Sequence, residues 1–417
     1  MENATKTDSV DTVSEVKAEP QHDTSKNATK KSSKSWLILS IMGGVALLAG
    51  IAMFIVPFVL PEETLPDLSF PIIPSTRPAE GVYSNLTGLP VASEADKTAP
   101  TYCIQTPNGT DGARPQAGLT QAGVVFEAIA EAGITRFAAI YQQPSSAVIG
   151  PIRSLRIYYL QWDTPFDCTI VHAGGAYDAI QAVRAGGYKD LSENYVYMYR
   201  GSYGSRLWNN LFTTGAYLAQ FSSDMGYTSS DVKGFTRMTP AESERARIDA
   251  TVAEKLVITE ATSKNTSDMS PRVTEMAMDF GGWATFNVRY NYDSSSNTYL
   301  RSYATGAAHE VYDCPGENLG EVNPEDRCTL RQLAPSVVAV MMVEEHLAEY
   351  DHYHEDIKAV GSGEAYVFQN GIAIHGRWEK PSVEAQIRFY DESGAEIALA
   401  PGQTFVEAVP TYGAVRY

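Results

Sequence analysis

Two periodicities divide the chain. "VVFEAIAEAGITRFAAIYQ" (124–142) reads as a strand hairpin turning at Ala132-Gly133. "CTIVHAGG" followed by "AYDAIQAVRAGG" reads as strand, glycine turn and helix, an α/β unit. "PIRSLRIYYLQW" is predicted to be a helix with Pro151 in its first position, where a missing N–H does no harm. "MTPAESERARIDATVAEKL" (238–256) is predicted to be an exposed helix capped at Thr239. Beyond about residue 270 the pattern turns to alternation. "TFNVRYNYDSSSNTYLRSY", "AYVFQNGIAIHGRW" with its Asn-Gly turn, and "AQIRFYDESGAEIAL" are hairpins, and "APGQTFVEAVP" adds a last strand. The expected architecture is an α/β domain over 82–260, a mixed sheet with flanking helices, followed by a β-rich domain over 270–417.

One run obeys neither period. "WLILSIMGGVALLAGIAMFIVPFVL" (36–60) is uncharged and mostly apolar, long enough to cross a ~30 Å hydrocarbon layer. Lys26, Lys30, Lys31 and Lys34 precede it, and Glu62, Glu63 and Asp67 follow. The excess of lysine on the N-terminal side predicts a single-pass signal anchor in the cytoplasmic membrane, with residues 1–35 a disordered cytoplasmic tail. The Pro-rich 61–81 segment would then be a stalk, and the C-terminal domains extracytoplasmic. No small-residue cleavage site follows the apolar run.

Composition narrows the partners. The 417-residue chain carries a net charge of -18, which excludes a nucleic-acid partner, since backbone phosphates require a basic face. Four cysteines suit an exported chain. Cys314 and Cys328 bracket a polar loop that a disulfide would staple; Cys103 and Cys168 lie in apolar runs and read equally as buried thiols or a second bridge.

Against that acidic background, Arg136, Arg153 and Arg156 gather just after Glu127 and Glu131. In a hairpin whose opposed residues sum to 265, Arg136 faces Ile129 and reaches both carboxylates diagonally. Arg153 and Arg156, three apart in a helix's first turn, would point the same way, and the positive end of the helix would favour an anion between them. The cluster is satisfied either by its own glutamates or by an external carboxylate or phosphate. His172 ends a strand before Ala173-Gly174-Gly175, where ligands of α/β sheets bind, with Asp163 or Asp167 placed to orient it; a buried, hydrogen-bonded histidine is the alternative. Arg206 and Asn210 are further candidate polar walls. In "EEHLAEYDHYHED" (344–356), His352 and His354 fall in a turn between strands, and no metal is assigned there. No phosphate loop, nucleophile elbow or paired-cysteine motif calls for a cofactor.

"NLTGLPV", "ARPQAGLTQAGVVFEAIAEAGITRFAAIYQ", "GPIRSLR" and "HAGG" resemble the YerB-like envelope proteins, and "GSGEAYVFQNG", "RWEK" and "LAPGQTFVEAVP" are similar to that family's second domain. The resemblance spans most of 82–412. It implies a two-domain, exported protein held at the outer face of the cytoplasmic membrane, and no reaction. The family's lipidated cysteine is replaced here by the apolar run, and Asn209 of "WNNLF" stands where relatives carry a histidine. Three functions follow as expectations. One is binding of an anionic envelope ligand, a polymer or the carboxylate of a protein partner, by Arg136, Arg153 and Arg156, with Glu127 and Glu131 preorganising them. Another is glycan hydrolysis with Glu127 or Glu131 as acid/base and His172 assisting. The third is a scaffold without a small ligand.

Overall fold

The computed structural model describes residues 81–201, 209–259, 273–316 and 323–417. The tail, the apolar run 36–60, the stalk and Arg206 lie outside the described residues. Among those described, no helix is long and apolar enough to cross a membrane.

The N-terminal half supplies β1 (Thr101–Pro107), β2 (Val124–Glu131), β3 (Ile134–Gln142), α1 (Ile157–Asp163), β4 (Thr169–Val171), α2 (Tyr177–Arg184), β5 (Lys189–Leu191), α3 (Gly215–Met225) and α4 (Pro240–Thr259). The C-terminal half supplies β6 (Glu275–Asp279), β7 (Val288–Asp293), β8 (Thr298–Tyr303), β9 (Val337–Val343), β10 (Gly361–Gln369), β11 (Ile372–Lys380), β12 (Arg388–Asp391), β13 (Thr404–Pro410) and β14 (Ala414–Arg416). The halves meet in one mixed, ten-stranded sheet ordered β12-β11-β10-β9-β13-β2-β3-β1-β4-β5. The junction is the parallel pairing of β13 with β2, which sets Glu407 beside Glu127. Both strands are buried along almost their whole length, as continuous apolar runs in a covered sheet should be.

Helix α1 covers one face, packing Tyr158, Tyr159, Leu160 and Trp162 against Phe126 and Ala128. A smaller sheet, β8-β7-β6-β14, packs Met276, Val288, Tyr290 and Tyr299 against Val338, Val340 and Phe368 of the main sheet. The Asn-Gly hairpin forms as the sequence predicts: Asn370 and Gly371 take φ of 54° and 78°, the pair of left-handed residues such a turn requires. Helix α4 opens on a reciprocal cap in which Thr239 Oγ1 accepts from Glu242 N–H at 3.2 Å and Glu242 accepts from Thr239 N–H at 2.7 Å. The Cys314–Cys328 disulfide is present, and Cys103 and Cys168 also pair, tying β1 to the segment before β4.

The segment 150–156 departs from the helix that its sequence predicts. The Gly150–Pro151 bond is cis. The amides of Ile152, Arg153 and Leu155 donate to Leu211, Gln105 and Gly174, so they are spent on neighbouring segments and cannot start a helical ladder. Helix α1 therefore begins at Ile157, with Arg156 extended at its N-cap and Arg153 upstream of it.

Candidate functional site

The site is built on the tip of the β2–β3 hairpin. Ala132 and Gly133 occupy the left-handed region there. The register differs by one from the sum of 265: Arg136 opposes Ala128, and Thr135 opposes Ile129. A bulge between Ile129 and Glu131 absorbs the extra residue. Its consequence is chemical. Alternation puts Glu127 on the face opposite Arg136, while the bulge returns Glu131 to Arg136's side. The two glutamates do not share a partner.

Glu131 is the hub of the arginine cluster. One carboxylate oxygen accepts from Arg136 at 2.7 Å and the other from Arg156. Arg136 also donates to the carbonyl of Ser154 at 2.9 Å, and Arg156 to that of Leu155 at 3.0 Å. Burial pushes the Glu131 carboxyl up, but the guanidinium groups of Arg136 and Arg156 outweigh it and hold the carboxyl below its ordinary range. Burial, followed by repulsion from Arg156, lowers Arg136 to about 10. Arg153 is lowered mainly by burial, against the pull of Glu131 and Asp111.

A cleft of about 530 Å³ opens over this cluster, within the range of small-ligand sites. Its walls are the 107–111 loop, the hairpin tip with Glu131 and Arg136, Arg153, Asn209, and the segment carrying Trp283 and Phe286. Trp283 is 67 % exposed, yet its indole N–H is fixed on the carbonyl of Ala132 at 3.1 Å. Asn209 donates to Asp111 Oδ1 at 3.1 Å. Asn210 is not among the lining residues; it ties Gly201 to Arg200 instead. The sequence drew no attention to Trp283 or Asp111. An aromatic residue directly after Gly281-Gly282 was the available signal for Trp283.

His172 is buried, and neither Asp163 nor Asp167 orients it. Its Nε2 meets Asp190 at 2.8 Å and its Nδ1 meets the carbonyl of Gly174 at 2.8 Å. Parallel pairing of β4 with β5 brings Asp190 alongside, a contact invisible to local sequence. Asp163 is fully buried against Gln105, and Asp167 binds Lys189. In the 345–357 turn, His354 Nδ1 is held by Asp351 at 2.5 Å. Among the described residues, no three potential metal ligands converge.

Behind the cleft lies a second, sealed charge network. Arg301 of β8, fully buried, donates to Glu127 at 2.5 Å and to Glu407 at 2.6 Å. Its Nε donates to His309 Nδ1 at 2.8 Å, which assigns the remaining ring proton to Nε2, facing Gln116 at 3.1 Å. Tyr290 caps Glu407, and Asn108 and Thr135 cap Glu127 at 3.0 and 2.6 Å. Burial, then repulsion from Glu127, holds the Glu407 carboxyl well above its ordinary value. Among the described residues its Oε2 has no hydrogen-bond partner. Glu127 has no exposure at all, so of the two candidate acids only Glu131 borders the cleft.

Comparisons with known proteins place this fold. Residues 86–228 match the N-terminal domain of a protein family of unknown function, DUF3048, and residues 276–406 match its C-terminal domain. The Bacillus subtilis (strain 168) protein named "Putative lipoprotein YerB" is 26% identical over 338 residues, covering 81% of this chain and 88% of that one. The crystal structure of YerB from Bacillus subtilis superposes with a TM-score of 0.62 at 21% identity, over 81% of this chain and all of that chain. The two matched domains, in the same order and over most of the described chain, make this protein a member of the YerB-like DUF3048 family.

Proposed function

We propose that the protein is an envelope module, anchored in the cytoplasmic membrane through residues 36–60, whose arginine-lined cleft binds an external anion. The observation that carries this reading is the gathering of guanidinium groups over the hairpin tip. Arg136 and Arg153 line the cleft and Arg156 backs it, whereas Glu131 alone is shared between two of them. Arg136 and Arg153 balance Glu131 and Asp111 along the cleft, and Arg156 behind them adds a third guanidinium to the cluster, in a protein of net charge -18. A charge so placed is held by the fold rather than by the global field. The named lipoprotein relative supports an envelope location. With Glu127 sealed, Glu127 and Glu131 do not form an acid/base pair across the cleft.

Glucuronate, titrated calorimetrically into the full-length protein, tests the reading. Arg153→Gln is expected to weaken binding at least tenfold while the protein stays folded, because the substitution removes one guanidinium from the cleft and keeps the backbone bonds of residue 153 to Gln105 and Ala173. Wild-type protein that binds no anion, or a variant that binds equally well, would refute it.

A further inference from the structure

The cleft contains more than cations, and we infer that its ligand is a glycan of carboxylated pyranose units, gripped at the acid by the arginines and stacked on Trp283. This inference rests on the anion-binding reading above and narrows it to a substrate class. Three observations carry it. First, the indole is immobilised by its N–H on Ala132 while two thirds of the side chain stays exposed in the cleft. A large aromatic held open to water offers an apolar face for the C–H face of a sugar ring. Second, the lining interleaves the cations with acceptors, Asp111 and Glu131, and with the amide of Asn209. A bare anion has no donor to offer those carboxylates; a sugar's hydroxyl groups have several. Third, the guanidinium groups of Arg136 and Arg156 already cradle one carboxylate, that of Glu131, with Arg153 on the cleft wall beside them, a geometry suited to a further monoanionic carboxylate.

The surface also continues past one sugar. His354 forms a backbone bridge to Glu131 at the hairpin tip. Exposed Tyr350 and Tyr353 pack with ring centroids 6.2 and 5.1 Å from that histidine. The hairpin tip thus carries Trp283 at Ala132 and an aromatic cluster bridged to Glu131, a layout that suits successive rings of one chain rather than an isolated acid.

Three probes decide it: trigalacturonate, the neutral trisaccharide maltotriose, and tricarballylate, which has three carboxylates and no ring. Trigalacturonate is expected to bind at least tenfold tighter than tricarballylate, and maltotriose weakly or not at all. Trp283→Ala should reduce trigalacturonate to the tricarballylate level without changing tricarballylate itself, and Trp283→Phe, which keeps an aromatic face, should retain most of the gain. Equal affinity for the two acids, or a Trp283→Ala variant that loses nothing, overturns the glycan while leaving the anion site standing. Tighter binding of a poly(glycerol phosphate) chain, which has no pyranose face, likewise overturns it. Loss of all anion binding would remove both readings.

Discussion

Replacing Arg301 with methionine should destabilise the fold by about 3–5 kcal/mol, the range found when one partner of a buried ion pair is removed. Among the described residues Arg301 is the cation paired with both Glu127 and Glu407, and it also fills the lone pair of His309 and contacts Tyr290. Methionine matches its length but leaves two adjacent carboxyl groups on paired strands with no exit to water. The damage falls where the two halves of the chain join, so denaturant unfolding followed by circular dichroism should show a lower midpoint in one cooperative step. Adding Glu127→Gln to Arg301→Met should recover part of the loss, since it removes one of the stranded acids. A loss below about 1 kcal/mol would mean that the network contributes little more than an exposed ion pair.

A second large effect concerns pH. Glu407 holds its proton in the folded protein at pH values where the unfolded chain has released it, because burial and the neighbouring Glu127 both oppose its charge. A raised carboxyl contributes stability that is complete below the ordinary value of 4.5 and is lost as pH climbs through the raised one. Glu407→Gln keeps the shape and the donor but cannot ionise. Wild-type stability relative to that variant should therefore fall by about 1.4 kcal/mol for each pH unit above 4.5 until Glu407 ionises in the fold. Asp163, raised by burial, and His309, lowered by it, titrate alike in both proteins and cancel from the difference. Parallel stability curves for the two proteins would contradict this account of Glu407.

The sequence carried the hairpins well because turn chemistry is local: Asn370-Gly371 and Ala132-Gly133 announce themselves in two residues. It also singled out Arg136, Arg153 and Arg156, since charge clustering against an acidic background is visible without a structure. What it could not supply was whatever depends on a single-residue shift or on distant strands. The bulge before Glu131 costs one residue of register and decides which glutamate meets Arg136. Helix α1 starts late because three amides find partners in segments that local reading cannot place. Asp190 reaches His172 only through parallel strands, and Arg301 is 174 residues from Glu127. A trace of Arg301 was nevertheless legible: in "TYLRSY" it takes the inward position between Tyr299 and Tyr303, where an arginine must find a buried acid.

That the hairpin tip offers positive charge to an outside ligand is the claim on which the functional reading depends, and a crystal grown without sulfate or phosphate and soaked in bromide tests it most directly. Bromide is a monoanion that anomalous scattering locates unambiguously. The account predicts a peak in the cleft within contact of Arg153 and Arg136, under the open face of Trp283. Bromide bound elsewhere, with those arginines turned wholly onto Glu131 and Asp111, would show that the cluster serves only the fold.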